Sequence, residues 1–395
     1  MAEEVISPDL GFVRDVIKSG GESLKKCFQC ATCSVVCNVT PDNKPFPRKE
    51  MIHAQWGLKD KLFSNPDIWL CHQCSDCTVY CPRGAKPGEV LNAVRKLSIQ
   101  HYSIPQFLGK AVGSPSYLVL LFAVPIVVLL LLLSSLGHLS LSAIPRGEDG
   151  GISYAKFIPA IYLEIIYGGI SAFAALVLVA GIFRYWKDMV AGAGEARQKM
   201  LLKGSLIPTI TATIAEILTH KRFQKCDVTK ARYISHMLVF YGFIALAITA
   251  LWAVVYLYGY EFFGIKATSI FHFGESPYPL TDPVKWLGNA GAIALLIGGY
   301  LVIKDRVNNK EKAGRGSYFD WIFITVVFVI AVTGILTELT RLADIAILAY
   351  PVYFVHLVFV FFLFAYAPFS KMAHMIYRAV AMVFAKHAER EVERG

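Results

Sequence analysis

The sequence predicts an all-α protein in two parts. Residues 1–110 form a polar domain built around cysteines, and residues 111–395 form a bundle of six membrane-spanning helices. Three observations predict it. Eight of the nine cysteines fall within residues 27–81, the apolar weight falls after Pro115 in six long runs, and the basic residues gather between particular pairs of those runs. The chain has 395 residues, 55% of them hydrophobic. That is more than soluble domains use, and the six runs carry the excess.

Met1 to Leu10 carries acids and no apolar stretch, so no secretory signal is expected and the cysteine domain is expected to stay in the cytoplasm. In a reducing compartment a dense cysteine cluster means metal rather than disulfides. The first block is Cys27-x2-Cys30-x2-Cys33-x3-Cys37, and the second is Cys71-x2-Cys74-x2-Cys77-x3-Cys81-Pro82. Each has the spacing of a [4Fe–4S] run. Structural zinc usually takes paired cysteines, not two complete sets of four. Two-residue gaps let three sulfurs wrap one cluster, while the fourth cysteine, on the following helix, reaches the neighbouring cluster. Cys27, Cys30, Cys33 and Cys81 are therefore assigned to one cluster, and Cys71, Cys74, Cys77 and Cys37 to the other. The first block departs in one respect, with Asn38 after Cys37 and the proline only at Pro41. The long gap between blocks, with a helical stretch from Arg48 to Leu62, favours a helical ferredoxin domain. A further amphipathic helix over 88–103 leads to the membrane. Cys226, alone in a basic loop, reads as an ordinary thiol.

The six runs lie near 115–136, 155–183, 233–258, 284–303, 318–339 and 351–376, each long enough to cross ~30 Å of hydrocarbon. With the cysteine domain in the cytoplasm, all but five of the 39 Lys and Arg residues lie on that side. The far side keeps only Arg146, Lys156, Lys266, Lys285 and Arg341. That is the orientation basic loops dictate, and an even number of spans puts both termini in the cytoplasm. The chain is thus expected to be a multi-pass protein of the inner (cytoplasmic) membrane. The net charge of +10 reads as topology and docking surface rather than nucleic-acid binding. The stretch 205–220 has the character of an amphipathic helix on the membrane surface.

Ionisable residues inside spans are candidate sites. His356 and His374 lie 18 residues apart, five turns of one helix, which would set both imidazoles on one side about 27 Å apart. That arrangement suits two stacked b haems. His236 opens the third span level with His374, and these two are assigned to the inner haem. The outer haem would use His356, with His272 as first choice of partner and His138 as second. His220, beside Lys221 and Arg222, reads as solvated or facing the lipid headgroups rather than as a ligand. Glu338 and Arg341 end the fifth span near Asp344, where they could meet a haem propionate or a quinone, or carry quinol protons.

The cysteine blocks resemble the iron–sulfur subunit of heterodisulfide reductases, a helical ferredoxin. The stretch from His356-Leu357-Val358-Phe359 through Ala367-Pro368-Phe369-Ser370-Lys371 to His374, and the stretch Gly334 to Arg341, resemble the haem b membrane subunits of heterodisulfide reductase and respiratory nitrate reductase. Leu246 departs from the nitrate reductase pattern, which has a second histidine on that helix. Both parts in one chain of this length resemble the fused iron–sulfur and haem b subunit of the quinone-interacting membrane-bound oxidoreductases of sulfate-reducing microbes. The resemblance implies two [4Fe–4S] clusters and b haem, with electrons passed between menaquinone and two soluble flavin-containing partners that serve adenylylsulfate reductase.

The chain carries no Gly-x-Gly-x-x-Gly fingerprint and none of the Cys-Cys pairs of a disulfide-cleaving subunit. It is expected to be an electron-transfer subunit between the membrane quinone pool and soluble flavin or iron–sulfur subunits, not the substrate-converting one. A heterodisulfide reductase-like or sulfite-pathway complex is the rival within the class. A sensor or transporter with an iron–sulfur domain is the rival outside it, though the repeats and broken helices of transporters are not evident.

Overall fold

A computed structural model describes residues 7–140, 145–148, 150–194, 204–225, 231–263, 278–309 and 316–389. Its architecture is all-α; among the described residues β-structure amounts to one isolated bridge between Arg146 and Ile152.

The cysteine domain is a set of short helices. Helix α1 (Leu10–Lys18) starts at Asp9, whose carboxylate accepts from the Phe12 N–H at 2.8 Å, a standard N-cap. Then come α2 (Thr32–Val35), α3 (Arg48–Gln55), α4 (Lys59–Phe63), α5 (Asp67–Leu70), α6 (Asp76–Val79) and the long α7 (Pro87–Tyr102). The segment of helix character from Arg48 to Leu62 is two helices, because Gly57 turns the chain at φ +68°. A Cβ at Gly57 would lie 2.5 Å from the Asp9 carbonyl oxygen, so only glycine lets α1 approach so closely.

Helix α8 (Gln106–Val112) leads into the bundle. The bundle comprises α9 (Leu118–Ser135), the short α10 (Tyr154–Phe157), α11 (Ala160–Ala191), α12 (Ile207–Thr219), α13 (Ala231–Phe263), α14 (Pro283–Asn308), α15 (Tyr318–Leu342), α16 (Ala346–Tyr366) and α17 (His374–His387). Among the described residues six stretches are long and apolar enough to cross a membrane: Pro115–Ser135, Ala160–Ala191, Arg232–Tyr256, Pro283–Asn308, Tyr318–Leu342 and Ala346–Phe369.

Helices α13 and α14 pack backbone to backbone. A Cβ on Gly242 would lie 2.9 Å from the Gly291 carbonyl oxygen, and one on Gly298 would lie 2.9 Å from the Val239 nitrogen. Small residues allow this approach where apolar burial alone does not hold helices together. Gly291→Val is therefore expected to force the pair apart at a cost of about 1–3 kcal/mol. Gly168→Ala, at a position with no atom within 4 Å of the new Cβ, should leave the melting temperature in detergent unchanged. Equal melting of the two variants would contradict the close packing.

The last span corrects one sequence expectation. Pro368 cannot donate to the preceding turn. The chain passes through two 3₁₀ turns, Ala367–Phe369 and Lys371–Ala373, before α17 begins at His374. His356 and His374 therefore lie on different helices, and the five-turn argument for their common face does not apply. Instead α17 packs on α5, α11 and α12. Trp69 of α5 stacks on Tyr377 of α17 with ring centres 5.2 Å apart, and Tyr102 of α7 lies 5.3 Å from Tyr185 of α11. Tyr102 donates its hydroxyl to Asp188 at 3.0 Å. Buried Asp320, which caps α15, accepts from Asn92 of α7 at 2.9 Å and pairs with Lys371. A single apolar core runs from Phe12 to Ala388 through both parts, so the cysteine domain is fastened to the near end of the bundle.

Candidate redox site at the joint, and a pocket beyond it

The two cysteine blocks share one backbone conformation. Gln29 and Ala31 in the first, and Gln73 and Ser75 in the second, are left-handed, with φ of 61°, 71°, 52° and 74°. Non-glycine residues avoid that region unless the surroundings impose it, and such strain gathers at functional sites. Here it curls each Cys-x2-Cys-x2-Cys run inward. The short helices α2 and α6 that follow pack on each other, and this crosses the fourth cysteines over. Cys27, Cys30, Cys33 and Cys81 line one cavity. Cys37 lies within electrostatic reach of Cys71, Cys74 and Cys77. Burial first, and the neighbouring cysteines next, push the Cys33 thiol up to about 11 and push Cys37 up to about 12. Four crowded thiolates need a strongly cationic core between them. Among the described residues no group of three or more His, Cys, Asp or Glu side chains is placed to hold a single metal ion. Two sets of four sulfurs brought together in this way suit a cubane each.

The second block faces the bundle. Arg232 of α13 donates to the Gln73 carbonyl at 3.0 Å, and Arg378 of α17 donates to the Cys71 carbonyl at 3.3 Å and to His72 Nε2. The Phe223 ring lies between His72 and His236, with centroids 4.9 Å and 4.7 Å away. His236 thus stands close behind the second block, and His374 begins the helix that carries Arg378.

Hydrogen bonding fixes the tautomer of His374, His356 and His236. His374 Nδ1–H donates to the Lys371 carbonyl. Thr333 gives its own proton to Val329 O at 2.7 Å, so its oxygen accepts from His356 Nδ1–H at 3.0 Å. His220 donates Nδ1–H to Leu218 O at 3.4 Å, which leaves its Nε2 to accept from His236 Nδ1–H at 3.0 Å. In all three, Nε2 keeps its lone pair, and among the described residues no protein hydrogen bond engages it. That is how proteins orient an imidazole toward a metal. Burial, with Lys371 adding to it, holds His374 down at about 3, in the neutral form that ligation needs. His220 is not solvated, as its basic neighbours suggested. It is 5% exposed, a left-handed C-cap of α12 turned inward against His236.

At the other end, His356 lines a cavity of about 560 Å³ between α13, α14, α15 and α16. Its walls are apolar, Leu246 included, and its polar residues include Lys285, Asn289 and Glu338. Glu338 pairs with Lys285 at 2.7 Å and accepts from Asn289 at 3.2 Å. Arg341 does not line this cavity, and Asp344 pairs with Arg146 at 2.9 Å instead. His138 lies elsewhere, donating to Phe157 O at 2.6 Å. His272 and Cys226 lie outside the described residues. Among the described residues, then, His356 is the sole imidazole at this cavity. The sequence reading missed Lys285 as the partner of Glu338. A lone cation inside an apolar span was the available signal.

Residues 23–85 match the 4Fe-4S dicluster domain family. Here that domain is joined to a bundle in which, among the described residues, six helices are long and apolar enough to cross a membrane. Residues 113–395 match the family described as citrate utilization protein B, and the chain belongs to that family. It is 27% identical over 333 residues to the citrate utilization protein B of Escherichia coli, covering 79% of this chain and 77% of that protein. The cysteine domain is 37% identical over 94 residues to a heterodisulfide reductase C-subunit-like protein of Archaeoglobus profundus, covering 23% of this chain and 50% of that one. It is also 37% identical over 90 residues to the C-subunit of the H(2):CoB-CoM heterodisulfide,ferredoxin reductase of Methanothermobacter marburgensis, covering 22% of this chain and 47% of that one. The chain spans about half the length of these two heterodisulfide reductase relatives. No solved structure matches it.

Proposed function

We propose that the chain is the membrane electron-transfer subunit of a respiratory complex. It links menaquinol to soluble flavin-containing partners that serve adenylylsulfate reductase, in the manner of the fused iron–sulfur and haem b subunit of the quinone-interacting oxidoreductases. Its termini and cysteine domain lie in the cytoplasm. The observation that carries this reading is the joint, where the second cysteine block, His236 and His374 meet within a few side chains. Cys27, Cys30, Cys33 and Cys81 would hold one [4Fe–4S] cluster, and Cys71, Cys74, Cys77 and Cys37 the other. His236 and His374 would hold a b haem through their free Nε2 atoms. Bound there, these groups supply one-electron carriers between the bundle and the surface of the cysteine domain.

The cavity beside His356 suits the quinone. Its volume is that of a small-molecule site, its apolar walls match an isoprenoid tail, and its polar residues match a ring oxygen. Lys285 can donate to that oxygen, and Glu338, oriented by Lys285 and Asn289, can accept a proton from the quinol. This end is the one away from the cysteine domain, so protons would be released outside while electrons travel inward. Glu338→Gln is expected to slow menaquinol-driven haem reduction about 100-fold in stopped-flow spectroscopy, with haem content intact. Unchanged kinetics, with quinone-site inhibitors cross-linking to residues 205–236, would move the site to the near end.

One observation favours a second reading. The match to the citrate utilization protein B of Escherichia coli runs through both halves of the chain, which suits a relay in citrate utilization. Mass spectrometry of proteins that co-purify with the tagged chain in its own host separates the two.

A further inference from the structure

The two blocks are a structural repeat, and their corresponding faces have different fates. In the second block that face is covered. His72, directly after Cys71, is engaged by Arg378 and lies against Phe223, and the Gln73 carbonyl is held by Arg232 of the bundle. In the first block the corresponding residue is Phe28, directly after Cys27, and it is 65% exposed with Arg83 over its ring at 4.1 Å. The corresponding carbonyl, of Gln29, is held by Arg48 of the same domain at 3.1 Å. Cys30 is exposed. Beside it α2 and α6 pack together and turn outward Val35 at 75%, Val79 at 47% and Tyr80 at 57% exposure. Exposed Arg83 and Arg48 meet this face at Phe28 and Gln29, and exposed Lys25 and Lys26 directly precede Cys27 in the chain.

We infer that this face, Phe28, Cys30, Val35, Val79 and Tyr80 with its basic rim, is the docking surface for the soluble redox partner, and that the partner presents its own redox centre within a rim of carboxylates. The inference rests on the proposed electron-transfer function. The repeat supplies its logic: one copy of the face is already used against the bundle, and the equivalent copy is open. Apolar area beside the exposed cysteine allows close approach, and the rim supplies steering, because complementary charge raises the rate of encounter. A patch of large apolar side chains at the edge of a cofactor site is otherwise unfavourable to expose.

The test uses the full chain in detergent, reduced with dithionite, and two soluble oxidants of opposite charge, acidic plastocyanin and basic cytochrome c. Stopped-flow reoxidation at low salt is expected to be at least tenfold faster with plastocyanin, and that preference should vanish at high salt. Arg83→Glu with Lys26→Glu should abolish the preference. Val35→Glu should slow plastocyanin at least tenfold while reoxidation by a small neutral benzoquinone stays unchanged. A preference for cytochrome c, or variants that react with plastocyanin as the parent does, would overturn the inference. Electron paramagnetic resonance on the same samples separates the two levels. Absence of both [4Fe–4S] signals counts against the proposed function itself, whereas intact signals with no effect of the variants count against this surface alone.

Discussion

His236→Ala and His374→Ala are each expected to abolish one and the same haem, leaving any other haem in place. Each imidazole is tethered through Nδ1, one to His220 and the other to the Lys371 carbonyl. Each therefore offers only Nε2, and each stands at the joint behind the second cysteine block. Loss of either would remove one axial ligand of the proposed haem. Low-temperature reduced-minus-oxidised spectra and pyridine haemochrome content would show the same band missing in both variants. His220→Leu should have a milder effect, roughly a 10- to 100-fold weaker haem affinity of the kind expected when an orienting partner is removed. His138→Ala should leave haem content unchanged, because that imidazole stacks on Phe157 and does not line the cavity of His356. Loss of different haems in the His236 and His374 variants would break the pairing.

Cys81→Ser should destroy the cluster of the first block, although Cys81 belongs to the second block in sequence. Cys37→Ser should destroy the cluster of the second block. The reason is the packing of α2 on α6, which brings Cys81 to the cavity of Cys27, Cys30 and Cys33 and turns Cys37 toward Cys71, Cys74 and Cys77. A serine oxygen is a poor substitute for a thiolate in a cubane, so a severe loss is expected rather than a modest shift. Electron paramagnetic resonance resolves the two clusters by their different surroundings, one beside exposed Cys30 and the other against Arg95, Arg232 and Arg378. Damage confined to the mutated residue's own block would rule out the exchange.

Much of this protein is local chemistry and was readable as such. Six apolar runs each satisfy their own backbone hydrogen bonds, so composition alone marks them as helices that can cross a membrane. Among the described residues six helices have the length and composition of spans, and each overlaps one of the expected runs. Cysteine spacing acts over a few residues too, and it marks the dicluster domain without any tertiary information. The division into a cysteine part and a bundle follows from the same two signals.

Other features depend on residues far apart in sequence, and no local pattern encodes them. The run from His356 to His374 reads as one helix by hydropathy, but Pro368 and the cap at Ser370 end it, and α17 packs Tyr377 against Trp69. His220 sits among basic residues in sequence, yet the turn at the end of α12 directs it to His236, 16 positions away. Glu338 finds its partner in Lys285, a residue that charge counting had assigned simply to the outer loop. The sequence by itself determined the class of helix, the number of spans and the identity of the cysteine motif, because each is set by side chains within a few residues of one another. Tertiary structure alone decided which cysteines and histidines share a site and how the two parts join, because those contacts are set by packing between elements distant in the chain, as far apart as Cys71 and Arg378.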